Sequence, residues 1–422
     1  LSSGEALRGE ANPREMAKST IYGRMVFLVV LALLGWKLYP WYSDRTSPKI
    51  ELKIEQGQMF GDEFDPAADV FDEKSGLSKV SGILADLNGK PVKKLFEGRV
   101  KSKRYFSSAV TGMKAVPEGR YKFLIEAVDA SLWKNKAVAS AEIVFDHTPP
   151  ELKIETKPAA LKQGGTFAIY VASSEPVHPR NAVVDTGVFG DSSVKFYPYG
   201  SDPNRFRAIL GSRIEAPVGS SSALLTFEDR AGNSTNHQIE FLVTEVHFGE
   251  GIVNLPAQKR RLLTDLAPRE EDNRKLEAVR NAPESVVQWW VGKLILPAQG
   301  VVTSPFGRLR VYNRGAATSR HMGVDMANRE GTPVLAANHG VVVFAEALNL
   351  RGNTVIIDHG QGVRSHYYHL KEIRANQGDQ VKKGQEIGSM GSSGQSTGSH
   401  LHWGIQVHKV FVTPYEWTRM EF

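Results

Sequence analysis

Glu51-Leu-Lys-Ile-Glu55 recurs as Glu151-Leu-Lys-Ile-Glu155, one hundred residues later. Each copy follows a proline-bearing linker, Ser47-Pro48 in one case and Thr148-Pro149-Pro150 in the other. The echo continues downstream. Tyr121-Lys-Phe-Leu-Ile125 runs into Glu126-Ala-Val-Asp129, and Ala223-Leu-Leu-Thr-Phe227 runs into Glu228-Asp229. Both copies close on alternating runs, Ala141-Glu-Ile-Val-Phe145 and Ile239-Glu-Phe-Leu-Val243. Period-two alternation broken by Gly, Asn, Asp and Ser turns predicts short antiparallel strands, not helices. A duplicated unit of this length leaves little choice but a β-sandwich, whose usual size is about 100 residues.

Residues 48–147 and 148–247 are therefore expected to be tandem immunoglobulin-like sandwiches within a mostly β chain. Asp229-Arg-Ala-Gly-Asn233 resembles a turn common in bacterial Ig-like repeats. Neither copy contains a site-like constellation, so the pair reads as a spacer. The acidic stretch Asp62 to Glu73 lacks calcium-ligand spacing around a fixed glycine and reads as a solvated loop.

The N-terminus carries a different signal. Met25 to Trp36 is an uncharged apolar run. It is shorter than the ~20 residues a span needs, but Arg24 and Lys37 can snorkel, extending the usable segment over 21–42. Trp36, Tyr39, Trp41 and Tyr42 cluster where an interfacial aromatic belt would sit, and Lys18 and Arg24 precede the core. The expectation is a retained transmembrane signal anchor, with residues 1–20 a cytoplasmic tail and 43–422 outside the cytoplasm in the cell envelope. Met16 opens a typical leader, which makes it the expected biological start, with residues 1–15 upstream sequence.

Between 248 and 293 the pattern changes again. Gln258 to Leu266 and Arg269 to Asn281 carry helix formers and dense charge, with Pro268 and Pro283 as breakers. Two short helices are expected in this linker, followed by Trp289-Trp290. From Leu294 on, strands return, at Gly300 to Thr303, Gly340 to Phe344 and Asn353 to Asp358.

That last segment holds eight of the twelve histidines. They fall mainly into His321-Met-Gly-Val-Asp325, His366-Tyr-Tyr-His369-Leu and His400-Leu-His402. The chain has no cysteine, which excludes disulfides and thiolate metal sites. A catalytic zinc needs three protein ligands and one open position. His321, Asp325 and His402 supply such a set from nitrogen and oxygen alone, leaving His369 and His400 as imidazoles that can handle protons. In a strand, residues i and i+2 face one side, so His400 and His402 project together. The step from His321 to Asp325 needs a turn, and Gly323 is expected to give it freedom. His339, His359, His366 and His408 are expected to be structural. The net charge of +6 is modest and fits a wall or membrane surface as well as plain solvation. Gly384 to Gly398 lacks the Gly-Lys-Ser/Thr of a phosphate loop. Gly378 to Gly388 resembles a lipoyl or biotinyl carrier hairpin but has no Met-Lys-type attachment lysine at its tip.

Seven motifs in one order carry a resemblance: Thr303-Ser-Pro-Phe-Gly307, His321 to Asp325, Gly331-Thr-Pro-Val334, Gly352 to Gly360, Tyr367-Tyr-His-Leu370, Gly378 to Gly388, and Thr397-Gly-Ser-His-Leu-His-Trp403. Together they resemble the lysostaphin/LytM-type zinc endopeptidases, metallopeptidase family twenty-three, over about 294–412. The resemblance implies an antiparallel β peptidase domain over 294–422 with one zinc and an open groove. It implies hydrolysis of peptide cross-links in peptidoglycan. It makes His321, Asp325 and His402 the zinc ligands and His369 and His400 the catalytic pair, with Tyr367 the aromatic residue two before His369. Arg308 to Arg320 and Glu346 to Arg351 are the expected groove loops. The expected partners are peptidoglycan peptide and, through the anchor, a membrane, with no nucleic acid. The alternative is a non-catalytic wall-binding or amidase-activating protein, against which the complete ligand set counts.

Overall fold

The computed structural model describes residues 13–177, 183–185, 193–257, 259, 265–313, 315 and 317–422. Most of the expected cytoplasmic tail and of the segment ahead of Met16 lies outside the described residues, as does most of the expected helix over 258–266. The described chain is mostly β and divides into two compact units, 1–148 with 230–233, and 149–229 with 234–422.

The first unit opens with a helix, Pro13–Ser43. Its Tyr22–Ser43 part is long and apolar enough to cross a membrane, with a mean hydropathy of 1.5 over its most apolar window, none of it buried against the protein. The helix ends on the following β domain. The Leu132 amide donates to Trp41 O at 2.9 Å, the Trp133 indole donates to Tyr42 O at 2.9 Å, and Arg45 lies over the Trp133 ring. Beyond it stand a three-stranded and a five-stranded sheet sharing one apolar core that centres on Phe64, Phe123 and Phe145. The alternation of Gly119–Asp129 explains the layering, since Tyr121, Phe123, Ile125 and Ala127 all turn inward. The acidic stretch is not the solvated loop expected. Ala68–Phe71 is a strand, Asp69 pairs with Arg104 at 2.7 Å, and buried Asp72 accepts the Gly76 amide at 2.8 Å.

In the second unit, residues 149–247 again form two sheets, of five and four strands, around Phe167, Phe206, Phe227 and Phe241. A spacer would end there. Instead Ala168, Ile209 and Ile214 from this segment belong to the same apolar core as Trp290, Trp403 and Trp417 of the C-terminal region. Polar clamps reinforce the seam. Buried Arg207 donates to Phe422 O at 2.7 Å and to the Gln288 and Gln361 side chains, and the Trp417 indole donates to Thr166 Oγ1 at 3.0 Å. The buried guanidinium is thus paired by several acceptors, as its desolvation requires.

The C-terminal region is built on one antiparallel sheet. Its strands run in the spatial order Val301–Ser304, Val324–Ala327, His400–Val407, Val363–Ile373, Gly352–Gly360, Gly340–Leu348 and Gln380–Val381. In the central His400–Val407 strand, Leu401, Trp403, Ile405 and Val407 enter the core. His400, His402, Gly404 and Gln406 therefore share the opposite face. The linker is only partly helical. Glu250–Val253 is a strand, parallel to Leu309–Tyr312, which itself pairs with Ala317–Arg320, so the first expected groove loop is largely a hairpin. Ala267–Asn281 is the expected second helix and docks Leu276 and Val279 on Phe344, Leu348 and Ile356. Its buried Asp272 accepts the Asn349 and Leu350 amides at 2.6 and 2.9 Å, which fixes the other groove loop.

Beneath the sheet runs a buried polar chain. His359 Nδ1 lies 2.7 Å from His339 O and its Nε2 2.7 Å from Ser365 Oγ. Ser365 reaches Tyr367 Oη at 2.9 Å, and Tyr367 Oη accepts the Ala337 amide at 2.8 Å. Tyr367 thus points into the core, not into a groove. Burial pushes the His359 pKa down from 6.5 to about 4. Between those two values the unfolded chain takes up a proton that the folded chain refuses, so stability is full above the upper value and falls as pH falls. The thermal midpoint of the metal-free chain is expected to drop from pH 7 to pH 4.5, and His359→Gln to flatten that drop. An unchanged slope in the variant would exclude His359 as a source.

Candidate active site

Three strands and one turn bring the histidines together. Asp325 on Val324–Ala327 stands opposite His402 in the ladder, and Tyr368 on Val363–Ile373 stands opposite His402 on the other side. His402 is therefore flanked by register alone. His321 arrives from the end of the Ala317–Arg320 strand, and the Thr303–Gly307 turn brackets it. Its Nδ1 lies 2.9 Å from Pro305 O and 3.1 Å from Ser304 Oγ. Its backbone is tied on both sides, His321 N to Arg308 O at 3.0 Å and Gly307 N to His321 O at 2.8 Å.

A carbonyl oxygen only accepts, so the Pro305 bond places the proton of His321 on Nδ1 and leaves the lone pair on Nε2. That nitrogen lies 2.9 Å from Asp325 Oδ1 and 2.9 Å from His402 Nδ1, and the last two are 3.0 Å apart. All three residues are buried. Burial alone would raise the Asp325 pKa, but the His321 and His402 rings beside it hold it well below the usual carboxylate range. Burial pushes His402 down to about 4, against the upward pull of Asp325. At neutral pH the carboxylate is ionised and the His402 imidazole is neutral. Electron-pair donors thus converge at hydrogen-bond distance with too few protons to share, which is the donor set and charge that a small divalent cation satisfies. The Asp325 oxygen not in this cluster, Oδ2, is paired with Arg310. Sequence reasoning missed Arg310, one of several arginines in its loop.

Gly323 acts through space, not through freedom. Its φ is not in the left-handed region, but a Cβ there would lie 2.5 Å from His402 Nε2 and 2.6 Å from Trp403 O. The close approach pins the His402 ring.

His369 is held by a bulge. Asn353 pairs with Leu370 and Val355 with Tyr367, so the Val363–Ile373 strand carries one extra residue between them. His369 takes a left-handed φ of 63° there, an uncommon conformation for a residue with a Cβ. The bulge turns both Tyr368 and His369 to the site face before Leu370 returns to the core. Tyr368 stacks on His402 with ring centres 5.0 Å apart, so Tyr368 and not Tyr367 is the aromatic residue at the site. The His369 amide donates to Arg351 O at 2.9 Å and its Nδ1 to Ser393 O at 2.8 Å. His400 Nδ1 likewise faces Gly398 O at 2.9 Å. Both rings thereby present Nε2, and their centres are 4.8 Å apart. Burial, aided by the neighbouring histidines, pushes His369 down to about 3. Asp325, His369 and His400 line a cleft of about 340 Å³, one wall of which is the linker strand around Ile252 and Val253. Of the histidines expected to be structural, His359 is enclosed in the core. His366 sits 5.0 Å from the Phe411 ring, and His408 bonds Glu284 at 2.7 Å.

Gly323→Ala should displace His402, and the expected result is a loss of metal affinity of about tenfold or more, as for other residues that orient a ligand. Competition with a chelator measures it. Unchanged affinity would show that the ring has room the geometry denies it.

Residues 319–414 match peptidase family M23. Over 113 residues the chain is 36% identical to an uncharacterized metalloprotease of Buchnera aphidicola, covering 27% of this chain and 30% of that one. It is 39% identical over 113 residues to the DD-carboxypeptidase/endopeptidase Mpg of Neisseria meningitidis, covering 27% and 26%. It is 37% identical over 106 residues to the peptidoglycan DD-endopeptidase ShyA of Vibrio cholerae, covering 25% of each. The chain thus spans about a quarter to three tenths of the length of these relatives. Among solved structures, the catalytic domain of lysostaphin from Staphylococcus simulans is 32% identical, covering 28% of this chain and 92% of that one, with a TM-score of 0.27. The histidine-bearing sheet at the C-terminal end of this chain is a peptidase family M23 domain of the LytM type.

Proposed function

We propose that this chain is a zinc-dependent endopeptidase that hydrolyses peptide cross-links of peptidoglycan while tethered to a membrane. One observation carries the reading: His321, Asp325 and His402 converge beside the Nε2 atoms of His369 and His400 at the floor of an open cleft. The substrate class is supported by relatives named peptidoglycan DD-endopeptidases. The Tyr22–Ser43 helix supports the tether, with residues 43–422 on the outer side. The two β-sandwiches are read as Ig-like modules.

His321 Nε2, Asp325 Oδ1 and His402 Nδ1 would hold the ion. A zinc ion so held supplies Lewis acidity, lowering the pKa of water to about 7 and polarising a carbonyl. The remaining work belongs to the chain. His369, neutral through burial and fixed by Ser393 O, accepts the proton of the attacking water at Nε2. His400, its Nδ1 fixed by Gly398 O, faces the same space, and when it also carries a proton on Nε2 it can donate to the oxyanion or the departing amine. Tyr368 and Gly323 keep the His402 ring in plane and in place. Arg310 keeps the second oxygen of Asp325 occupied, which leaves the first available to hold an ion.

His321→Ala and His402→Ala are expected to lose both zinc and activity, because two ligands bind weakly. His369→Ala is expected to keep its zinc and lose about a hundredfold or more in kcat, since it removes a proton acceptor and not a ligand. Metal analysis alongside release of soluble muropeptides separates the two cases. Loss of zinc from the His369 variant would undo the division between ligand and base.

A further inference from the structure

A second cavity, of about 810 Å³, opens between the second sandwich and the peptidase domain within the same compact unit. We infer that it is a substrate subsite, built partly by the sandwich, for a carboxylate-bearing residue about two positions from the scissile bond. The inference rests on the endopeptidase reading above and adds where the rest of the peptide lies.

The cavity reaches toward the metal cluster through Met322 and Phe411. Gly404 follows His402 on the same face of its strand, which places it about 7 Å away at ~3.3 Å per residue. A Cβ at Gly404 would meet Met322 O at 3.0 Å and the Phe411 ring at 3.3 Å. Met322 follows the ligand His321, and both Met322 and Phe411 line the cavity. Phe411 is also joined to the site through rings, with His366 at 5.0 Å, His366 to Tyr368 at 5.9 Å, and Tyr368 to His402 at 5.0 Å. An extended peptide advances about 3.3–3.6 Å per residue, so two residues of peptide span the distance from His402 to Gly404, where the cavity-lining Phe411 lies.

The walls have a definite chemistry. Lys195 and Arg213 of the sandwich and Lys409 of the peptidase domain line it and are exposed, and none of them makes an ion pair among the described residues. One acid, Glu215, also faces it. The other acid, Glu284, is already engaged, hydrogen-bonded to His408 at 2.7 Å and to the Tyr197 hydroxyl at 2.8 Å. Those bonds lower the Glu284 pKa against the opposing effect of its burial. His408 also reaches Ile209 O at 2.9 Å, so the two walls are pinned to each other before any ligand arrives. Three cations without an ion pair, against Glu215 and the already hydrogen-bonded Glu284, over an apolar floor that includes Leu210 and Val410, suit an acidic group on an aliphatic peptide. This surface would also explain why the sandwich shares a core with the peptidase domain instead of hanging from it.

The test uses the detergent-solubilised full chain carrying His369→Ala, so that peptide is bound and not consumed. Two labelled pentapeptides are compared by fluorescence anisotropy, one with glutamate two residues from the target bond and one with glutamine there. The glutamate peptide is expected to bind about tenfold more tightly, with an affinity that falls as salt rises. Adding Lys195→Ala, Arg213→Ala and Lys409→Ala together should erase that preference. All three side chains are exposed, so the fold is expected to persist, and an unchanged thermal midpoint checks it. Equal affinities in the parent, absence of binding, or a preference that survives the triple substitution would overturn the inference. The chain with His369 intact reports separately: if the zinc-loaded protein cuts neither peptide, the endopeptidase reading fails, whereas the binding preference stands or falls alone.

Discussion

Everything at the C-terminal end of this protein is arranged around one unfavourable contact. Two imidazole nitrogens and one carboxylate oxygen meet at 2.9–3.0 Å in a buried place, with more acceptors than protons. In water each would be solvated, and inside a protein such a meeting costs several kcal/mol unless a partner resolves it. A divalent cation is the partner of the right charge. The surrounding structure serves to prevent the cluster from relaxing in any other way. Pro305 O fixes the His321 tautomer, Arg310 occupies the spare oxygen of Asp325, and Gly323 and Tyr368 close on the His402 ring from two sides.

The sheet makes this affordable because its two faces do different things. Leu401, Trp403, Ile405 and Val407 give the central strand a dry anchorage, so the alternate positions are free to be polar. Burying those apolar side chains contributes roughly 1.5–3 kcal/mol each, enough to offset a strained residue nearby. That residue is His369, whose left-handed backbone is held by Arg351 O and Ser393 O. Arg351 lies in a loop clamped in turn by Asp272 of the linker helix. The linker is thus part of the support for the site, although it lies outside the matched peptidase segment.

Much of this could be read from the residues. The repeat at one-hundred-residue spacing gives two sandwich-sized β domains because alternation is a local property. The three histidine motifs point to the candidate site because the i, i+2 relation of His400 and His402 survives any arrangement of the rest. What escaped the sequence was non-local. Arg310 looks like its neighbours Arg308 and Arg320 until the sheet brings it to Asp325. Gly323 reads as a flexible residue, whereas its importance is the missing Cβ beside a ring 79 positions on. The bulge did leave a trace. The core positions Val363, Ser365 and Tyr367 step by two, then Leu370 follows by three, and that break exchanges Tyr367 for Tyr368 at the site. The seam between the second sandwich and the peptidase domain left none, because Ala168, Ile209 and Ile214 are ordinary strand residues until their partners are known.

The central claim is that the acceptor cluster exists to hold zinc. X-ray absorption at the zinc edge on the purified chain tests it most directly, because it reports the ligands themselves. The account predicts one zinc per chain, bound only by nitrogen and oxygen at about 2.0–2.1 Å, with the scattering signature of two imidazoles. A chain that retains no stoichiometric zinc, or one whose metal sees three or more imidazoles, would contradict it.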